Sequence, residues 1–104
     1  MIQPFIPTLK KIFSTKELDF KIVARRNKLL GLWAAGLLGL DDDSANAYAK
    51  EVIMSDFEEP GDDDVLRKVL GDLQGKQIET SEQLVRKEME RLRATARDQI
   101  MSEN

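Results

Sequence analysis

The chain has 104 residues, a net charge of −3, and neither cysteine nor histidine. Disulfides, thiolate chemistry, imidazole metal sites and Ser-His triads are therefore excluded. The length fits one domain with one core, and the mildly acidic composition argues against general nucleic-acid binding, which needs a basic surface.

The chain opens with an apolar segment, residues 1–13, which contains Pro4 and Pro7. It lacks the basic stretch that precedes the apolar part of a signal peptide. No apolar run in the sequence approaches the ~20 residues of a membrane span. We expect a cytoplasmic protein without membrane insertion, in which residues 1–13 are a flexible or diverged segment and residues 14–104 form the domain.

The first predicted helix runs from about Ser14 to Leu38. Ser14 and Glu17 have the spacing of a capping box, in which each side chain bonds to the backbone N–H of the other residue. Gly39 suits the left-handed position that often follows a helix. One face of this helix is apolar and contains Leu18, Ile22, Leu29, Trp33 and Leu37.

Two shorter helices are predicted in the middle of the chain. The first of them runs from about Asp43 to Phe57, with acidic residues at its start, where the helix dipole favours them. The other runs from about Asp63 to Leu73, and Gly75 ends it. Their apolar positions recur at helical spacing and are Ala45, Tyr48, Ala49, Val52 and Ile53, then Val65, Leu66, Val69, Leu70 and Leu73.

The fourth predicted helix runs from about Ser81 to Met101, with Thr80 and Gln83 as a second capping box. Its apolar face contains Leu84, Val85, Met89, Leu92, Ala96 and Ile100. Four amphipathic helices with short connections predict an all-α protein, a small antiparallel four-helix bundle with two long and two short helices.

Four stretches of the sequence carry a resemblance to a known family. They read ARRNKLLGLWAA (24–35), AYAKEV (47–52), DFEEPGDDDVLRKVL (56–70) and AxxQIM (96–101). These motifs, in this order, resemble the zeta subunit of alphaproteobacterial ATP synthase. The resemblance extends from about Phe13 to the end of the sequence.

This resemblance implies a four-helix protein that inhibits ATP hydrolysis by the catalytic head of the rotary synthase, which α and β subunits form. In such proteins an N-terminal segment inserts as a helix at a catalytic α/β interface and blocks rotation in the hydrolytic direction, while the helical body docks it. In this chain Phe5, Leu9 and Phe13 recur at i, i+4 and i+8. Together with Glu17 they are the expected partner-binding residues.

The N-terminal segment departs from the family pattern, in which an acid-rich stretch with spaced Phe residues leads into FAHDEELKF. Here residues 13–20 read FSTKELDF, one residue shorter, and residues 1–12 contain no acid. Three interpretations stay open: a diverged inhibitory segment, a disordered tail, or a stretch translated upstream of the true start. A short helix after Pro7 agrees with the Phe5 to Phe13 spacing, since the first turn of a helix tolerates proline.

The resemblance also implies an alternative function, because some members of the family bind adenine nucleotide weakly. The candidate nucleotide-binding residues are Arg25, Arg26 and Lys28 beside Trp33, and the same basic stretch also suits the acidic surface of a partner protein. An arginine can bind a phosphate through two N–H groups, and an indole can stack on a base. The alternative is a nucleotide-binding helical module that has lost inhibition.

The same residues have a structural interpretation. Residues 1–40 carry seven basic and two acidic side chains, whereas residues 41–64 carry one basic and ten acidic side chains. This contrast favours pairing between the basic stretch of the first helix and the acidic middle of the chain. Trp33 shares a helix face with Leu29 and Leu37, which favours a place in the core.

The sequence predicts a protein that is not an enzyme. It has no glycine loop of the type G-x-x-x-x-G-K-[ST] and no nucleophile beside a suitable base. The acidic stretch fails as a calcium loop starting at Asp56, because Pro60 and Arg67 fall at positions five and twelve. We expect no metal, no cofactor beyond weakly bound ATP or ADP, and a monomer when the protein is free.

Overall fold

The computed structural model describes residues 15–56 and 61–103, and all the regular structure in these residues is α-helical. The helices are α1 (Thr15–Leu38), α2 (Asp42–Ser55), α3 (Asp63–Gly75) and α4 (Glu82–Glu103). The prediction of an all-α protein with two long and two short helices is confirmed.

Helix α1 organises the bundle, because it packs against each of the other three helices. Its most extensive interface is with α2, and the next is with α4. Helix α3 contacts all three of the others, whereas within the described residues α2 and α4 do not contact each other. Side chains of α2, α3 and α4 are therefore brought together around α1.

The interior consists of two apolar clusters. The main core contains residues from all four helices, and its members include Leu30, Ala34, Tyr48, Val52, Val65, Val69, Leu73, Val85 and Met89. The smaller cluster contains only residues of α1 and α4: Ile22, Ala96 and Ile100 are buried, and Leu18 and Leu29 pack against them. Within the small cluster, the first half of α1 therefore packs only against α4.

The closest contact between α1 and α2 is made possible by Gly31, which is buried in the middle of α1. A Cβ atom at this position would lie 2.6 Å from the Cα of Ala49 and 3.3 Å from a methyl group of Val52. Because real Cβ atoms do not approach a backbone atom so closely, only glycine lets the two helices pack at this distance.

The first helix ends as the sequence predicts. Gly39 has a φ of 76°, and its N–H donates to the carbonyl of Gly36 at 3.2 Å. The N–H of Leu40 donates to the carbonyl of Ala35 at 3.0 Å. This pair of bonds is a Schellman motif, in which a left-handed residue lets the chain turn back over the end of the helix.

Several predicted helix ends differ from the observed ones by one or two residues. Helix α2 ends at Ser55, with Asp56 as its C-cap, and not at Phe57. Gly75 does not terminate α3 but is its last helical residue, and the left-handed residue is Gln77, with a φ of 62°. At the start of α4 the cap is Ser81, whose Oγ accepts from the N–H of Leu84 at 3.2 Å, and not the predicted pair Thr80 and Gln83. Thr80 and Ser81 are adjacent and both are good N-cap residues, so the sequence allowed either of them to cap α4.

Candidate functional site

Three of the predicted partner-binding residues, Phe5, Leu9 and Phe13, lie outside the residues that the structure describes. The fourth, Glu17, lies in the first turn of α1 and is exposed to solvent. An acid at this place is favoured by the dipole of α1, whose positive end is the N-terminus. The expected role of these four residues in partner binding stays a prediction.

Arg26 is buried inside the bundle, with 1% of the residue exposed. Its Nη2 donates to Oδ1 of Asp62 at 2.9 Å, and its Nε donates to Oδ1 of Asn27 at 2.8 Å. A buried guanidinium needs such partners, because removing a charge from water costs several kcal/mol unless it is paired. The pairing with the acidic middle of the chain, which the charge distribution favours, is therefore present at Arg26.

Two aspartates near Arg26 differ in their tendency to hold a proton. The hydrogen bond from Arg26 lowers the pKa of Asp62 below its usual value. Burial raises the pKa of Asp56, the residue after α2, and the nearby charge of Arg26 only partly opposes this effect. Asp62 is the N-cap residue of α3, but its side chain accepts no capping bond and accepts a hydrogen bond from Arg26 instead.

Arg25, the next residue back in α1, points to a different neighbour. Its Nη1 donates to Oε2 of Glu103 at 2.7 Å and its Nη2 donates to Oε1 of Glu103 at 3.0 Å, so the ion pair is bidentate. Nη1 also donates to Oε1 of Gln99 at 2.7 Å. Arg25 thus connects α1 to the last turn of α4, away from the acidic middle of the chain.

A cleft of about 410 Å³ brings together Arg25 and Lys28 of the predicted nucleotide-binding set. It lies between α1, α2 and α4, and we call it the cationic cleft. Its lining residues are Phe20, Lys21, Ala24, Arg25, Lys28, Ile53, Ile100 and Glu103. Arg26 and Trp33 are not among them, since Arg26 is buried and Trp33 packs, partly buried, against the main core.

Sequence reasoning missed several residues of the cationic cleft. Phe20 is 60% exposed, which is unusual for so large an apolar side chain, and Lys21 adds a third cation. Lys21, Arg25 and Lys28 stand at i, i+4 and i+7, a spacing that places them on one face of a helix. This signal was present in the sequence, but the contributions of Ile53 and Glu103 depend on how α2 and α4 pack.

A second cleft, of about 440 Å³, lies between the start of α1 and the second half of α4. Its apolar lining comes from Leu18, Ile22 and Ala94, and its charged lining comes from acidic and basic residues of both helices: Asp19, Glu90, Arg93 and Arg97. Arg93 lies 4.0 Å from Asp19 across this cleft. Because charges of both signs line it, the cleft favours no class of charged ligand.

A third polar cluster joins α2 to α3. The hydroxyl of Tyr48 donates to Oδ2 of Asp72 at 2.8 Å, and Nζ of Lys68 lies 3.0 Å from Asp72 and 3.1 Å from Glu51. The same ammonium group lies 5.1 Å from the centre of the Tyr48 ring. Burial and the neighbouring Asp72 raise the pKa of Tyr48, so this phenol stays a hydrogen-bond donor. We interpret the cluster as structural.

Two further properties concern the described part of the chain. None of its helices has the length and apolar character needed to cross a membrane. Across residues 15–56 and 61–103, no group of three or more acidic side chains is arranged to hold a metal ion.

Comparison with known proteins finds one matching protein family and several matching structures. A family model described as ATPase inhibitor subunit zeta matches residues 10–99. Four chains of known structure match as well. One of them, determined by solution NMR, is 55% identical in sequence and superposes with a TM-score of 0.74, and the match covers 84% of this chain and 99% of that one. No curated protein matches the chain significantly.

Proposed function

Because this chain belongs to the ATPase inhibitor subunit zeta family, we propose that it inhibits ATP hydrolysis by the catalytic head of an ATP synthase. The match of the family model over residues 10–99 carries this proposal. The protein acts as a regulatory subunit that makes and breaks no bond. Its place of action is the cytoplasmic side of the membrane, where the synthase holds it.

The proposed mechanism is steric. Residues 1–17 insert as a helix at an interface between an α and a β subunit of the head and block rotation in the hydrolytic direction. Phe5, Leu9 and Phe13 recur at i, i+4 and i+8, so a helix carries them on one face as apolar anchors. Glu17 adds a charged contact where the segment joins the body. Two features support this mechanism, namely the apolar spacing and the fact that residues 15–17, the end of the segment, form the start of α1.

The test is the rate of ATP hydrolysis by a catalytic head purified without its own zeta subunit. We expect the full chain to inhibit hydrolysis at micromolar concentration. A triple variant, Phe5→Ala with Leu9→Ala and Phe13→Ala, should lose most of this effect, because truncating interface anchors typically costs about 2 kcal/mol or more each.

The matched control replaces three exposed apolar residues of the body, Leu37, Leu84 and Met101, by alanine. It removes a similar apolar surface outside the proposed anchors and should inhibit as the full chain does. Absence of inhibition by the unaltered chain would refute the function, whereas equal inhibition by both triple variants would refute only the role of the N-terminal anchors.

A second candidate function, adenine-nucleotide binding, is favoured by the cationic cleft. The cleft brings Arg25 and Lys28 close to Lys21 and to the exposed ring of Phe20, which suits a phosphate chain and a base. Calorimetric titration of ATP distinguishes this candidate. A nucleotide-binding module keeps its affinity when residues 1–13 are removed and loses it in Arg25→Gln, whereas a pure inhibitor shows no ATP binding in any form.

A further inference from the structure

Glu103 occupies the cationic cleft with its own carboxylate. The bidentate pair with Arg25 is the geometry in which a guanidinium recognises a carboxylate, and it joins residues that lie 78 positions apart in the sequence. The pKa of Glu103 is lowered by the hydrogen bond from Arg25 and by the charges of Lys21 and Lys28. Three cations therefore act on one carboxylate.

The position of Glu103 at the end of its helix makes the pair with Arg25 easy to displace. Glu103 is the last residue of α4, where the negative end of the helix dipole disfavours an acid. More than half of its side chain is exposed to solvent. An exposed ion pair of this kind contributes only about 0–1 kcal/mol, so the carboxylate can be displaced at small cost.

The surface around the pair is both basic and apolar. Lys21, Arg25 and Lys28 follow one face of α1, and the partly buried Ile53 of α2 also lines the cleft. Phe20, at 60% exposure, also lines the neighbouring cleft that contains Asp56 and Asp62. A large exposed aromatic residue beside a groove is typical of the anchors of protein interfaces.

We propose that the cationic cleft docks an acidic helical segment of the partner protein, and that Glu103 holds the same place until the partner displaces it. This inference rests on the proposed function and deepens it, since it identifies the surface of the body that faces the catalytic head. Carboxylates of the partner replace Glu103 on Arg25, and Phe20 packs against apolar residues of the same segment.

Charge complementarity argues for an acidic protein segment as the occupant. The pair with Glu103 shows that the guanidinium of Arg25 is placed to bind a carboxylate. Lys21 and Lys28 extend the positive charge over about two turns of α1. The apolar contribution of Phe20 and Ile53 matches the apolar side of an amphipathic helix, which recognition of an inorganic anion would not need.

Glu103 then acts as a competitor that is part of the same molecule. An internal competitor lowers the apparent affinity for the partner by the fraction of time during which it holds the site. Removing its charge should therefore tighten binding, which is the opposite of what loss of an interface residue does. This reversal of sign separates the proposal from a merely structural ion pair.

The experiment measures binding of the full chain to an immobilised catalytic head of an alphaproteobacterial ATP synthase that lacks its own zeta subunit. We expect Glu103→Gln to tighten binding about two- to fivefold, the range that corresponds to an exposed ion pair. The double variant Arg25→Gln with Lys28→Gln should weaken binding about tenfold, and Phe20→Ala should weaken it by a similar factor.

The matched controls use a second exposed ion pair of α4. Arg86 donates from Nε to Oε2 of Glu82 at 3.0 Å, outside the cationic cleft. Glu82→Gln and Arg86→Gln should leave the affinity unchanged, and circular dichroism should confirm that every variant keeps its helices.

The outcomes separate the two proposals. If the unaltered chain binds and inhibits but Glu103→Gln and the double variant bind equally well, the docking surface is refuted while the inhibitory function stands. If the unaltered chain does not bind the head at all, the function itself fails. If Glu103→Gln raises the affinity of the free chain for ATP and not for the head, the cleft is a nucleotide site and the docking inference is wrong.

Discussion

At the scale of single residues, burial decides which charge of α1 is available to a partner. Arg25 and Arg26 are neighbours in the sequence and chemically identical, yet one is partly exposed in the cationic cleft and the other is 1% exposed beside Asp62. The sequence could predict that some of the basic stretch pairs with the acidic middle. It could not predict which arginine does so, because that depends on the rotation of α1 about its own axis.

Gly31 gives the first prediction at this scale. Gly31→Ala should destabilise the fold by about 1–3 kcal/mol, because the new methyl group would lie 2.6 Å from the Cα of Ala49 and the two helices would have to separate. The measurement is the midpoint of chemical denaturation, followed by circular dichroism.

Gly36 is the control for this prediction, since it lies in the same helix and a Cβ atom there meets nothing within 4 Å. Gly36→Ala should stabilise the protein by about 0.5–1 kcal/mol through the helix propensity of alanine alone. Equal stabilisation by both substitutions would show that α1 and α2 do not approach each other as closely as described.

At the scale of helices, the end of α3 carries a residue that is poorly suited to its conformation. The N–H of Gln77 donates to the carbonyl of Gln74 at 2.9 Å, and the N–H of Ile78 donates to the carbonyl of Leu73 at 2.9 Å. These bonds form a Schellman motif with Gln77 in the left-handed position, which favours glycine because a Cβ atom is crowded there.

We therefore expect Gln77→Gly to stabilise the protein by about 1 kcal/mol. The same substitution one turn earlier, Gln74→Gly, places glycine at an exposed position inside α3 and should destabilise by about the same amount. Thermal denaturation of both variants checks the pair. A loss of stability in Gln77→Gly would contradict the assignment of the left-handed position.

The helices themselves were predictable from the sequence, and their ends were predictable only in part. Apolar positions at helical spacing identify all four helices, because this period reflects which side faces the core. Gly39 is also identified, since a glycine follows the last apolar position directly. At α3 the sequence suggests Gly75 as the residue at which the chain turns, but Gly75 is still helical and the chain turns at Gln77, after which Ile78 packs against the core.

At the scale of the whole molecule, the two apolar clusters divide the bundle into regions of unequal stability. The main core draws on all four helices, whereas the small cluster of Ile22, Ala96 and Ile100 depends on α1 and α4 only. Regions with fewer buried apolar contacts open at lower free energy than the rest of a protein. The start of α1 and the end of α4 should therefore open together, before the main core does.

Hydrogen exchange followed by mass spectrometry tests this division. Ile100→Ala should speed exchange in residues 15–22 and 96–103 and leave the amides of α2 and α3 nearly unchanged. Val69→Ala, in the main core, should speed exchange in all four helices, because it lowers the global free energy of unfolding by about 1–3 kcal/mol. Uniform acceleration by Ile100→Ala would refute the two-region description.

The central position of α1 also has a mechanical consequence. The helix has 24 residues, about 36 Å at 1.5 Å per residue, and its first three residues belong to the proposed inhibitory segment. In the proposed mechanism the force of the rotor reaches the body at the start of α1, and the component of that force along the helix axis loads the interfaces of α1 with α2, α3 and α4 in shear. Under shear many side-chain contacts resist the force together, whereas a sideways pull at Thr15 would peel them apart one after another.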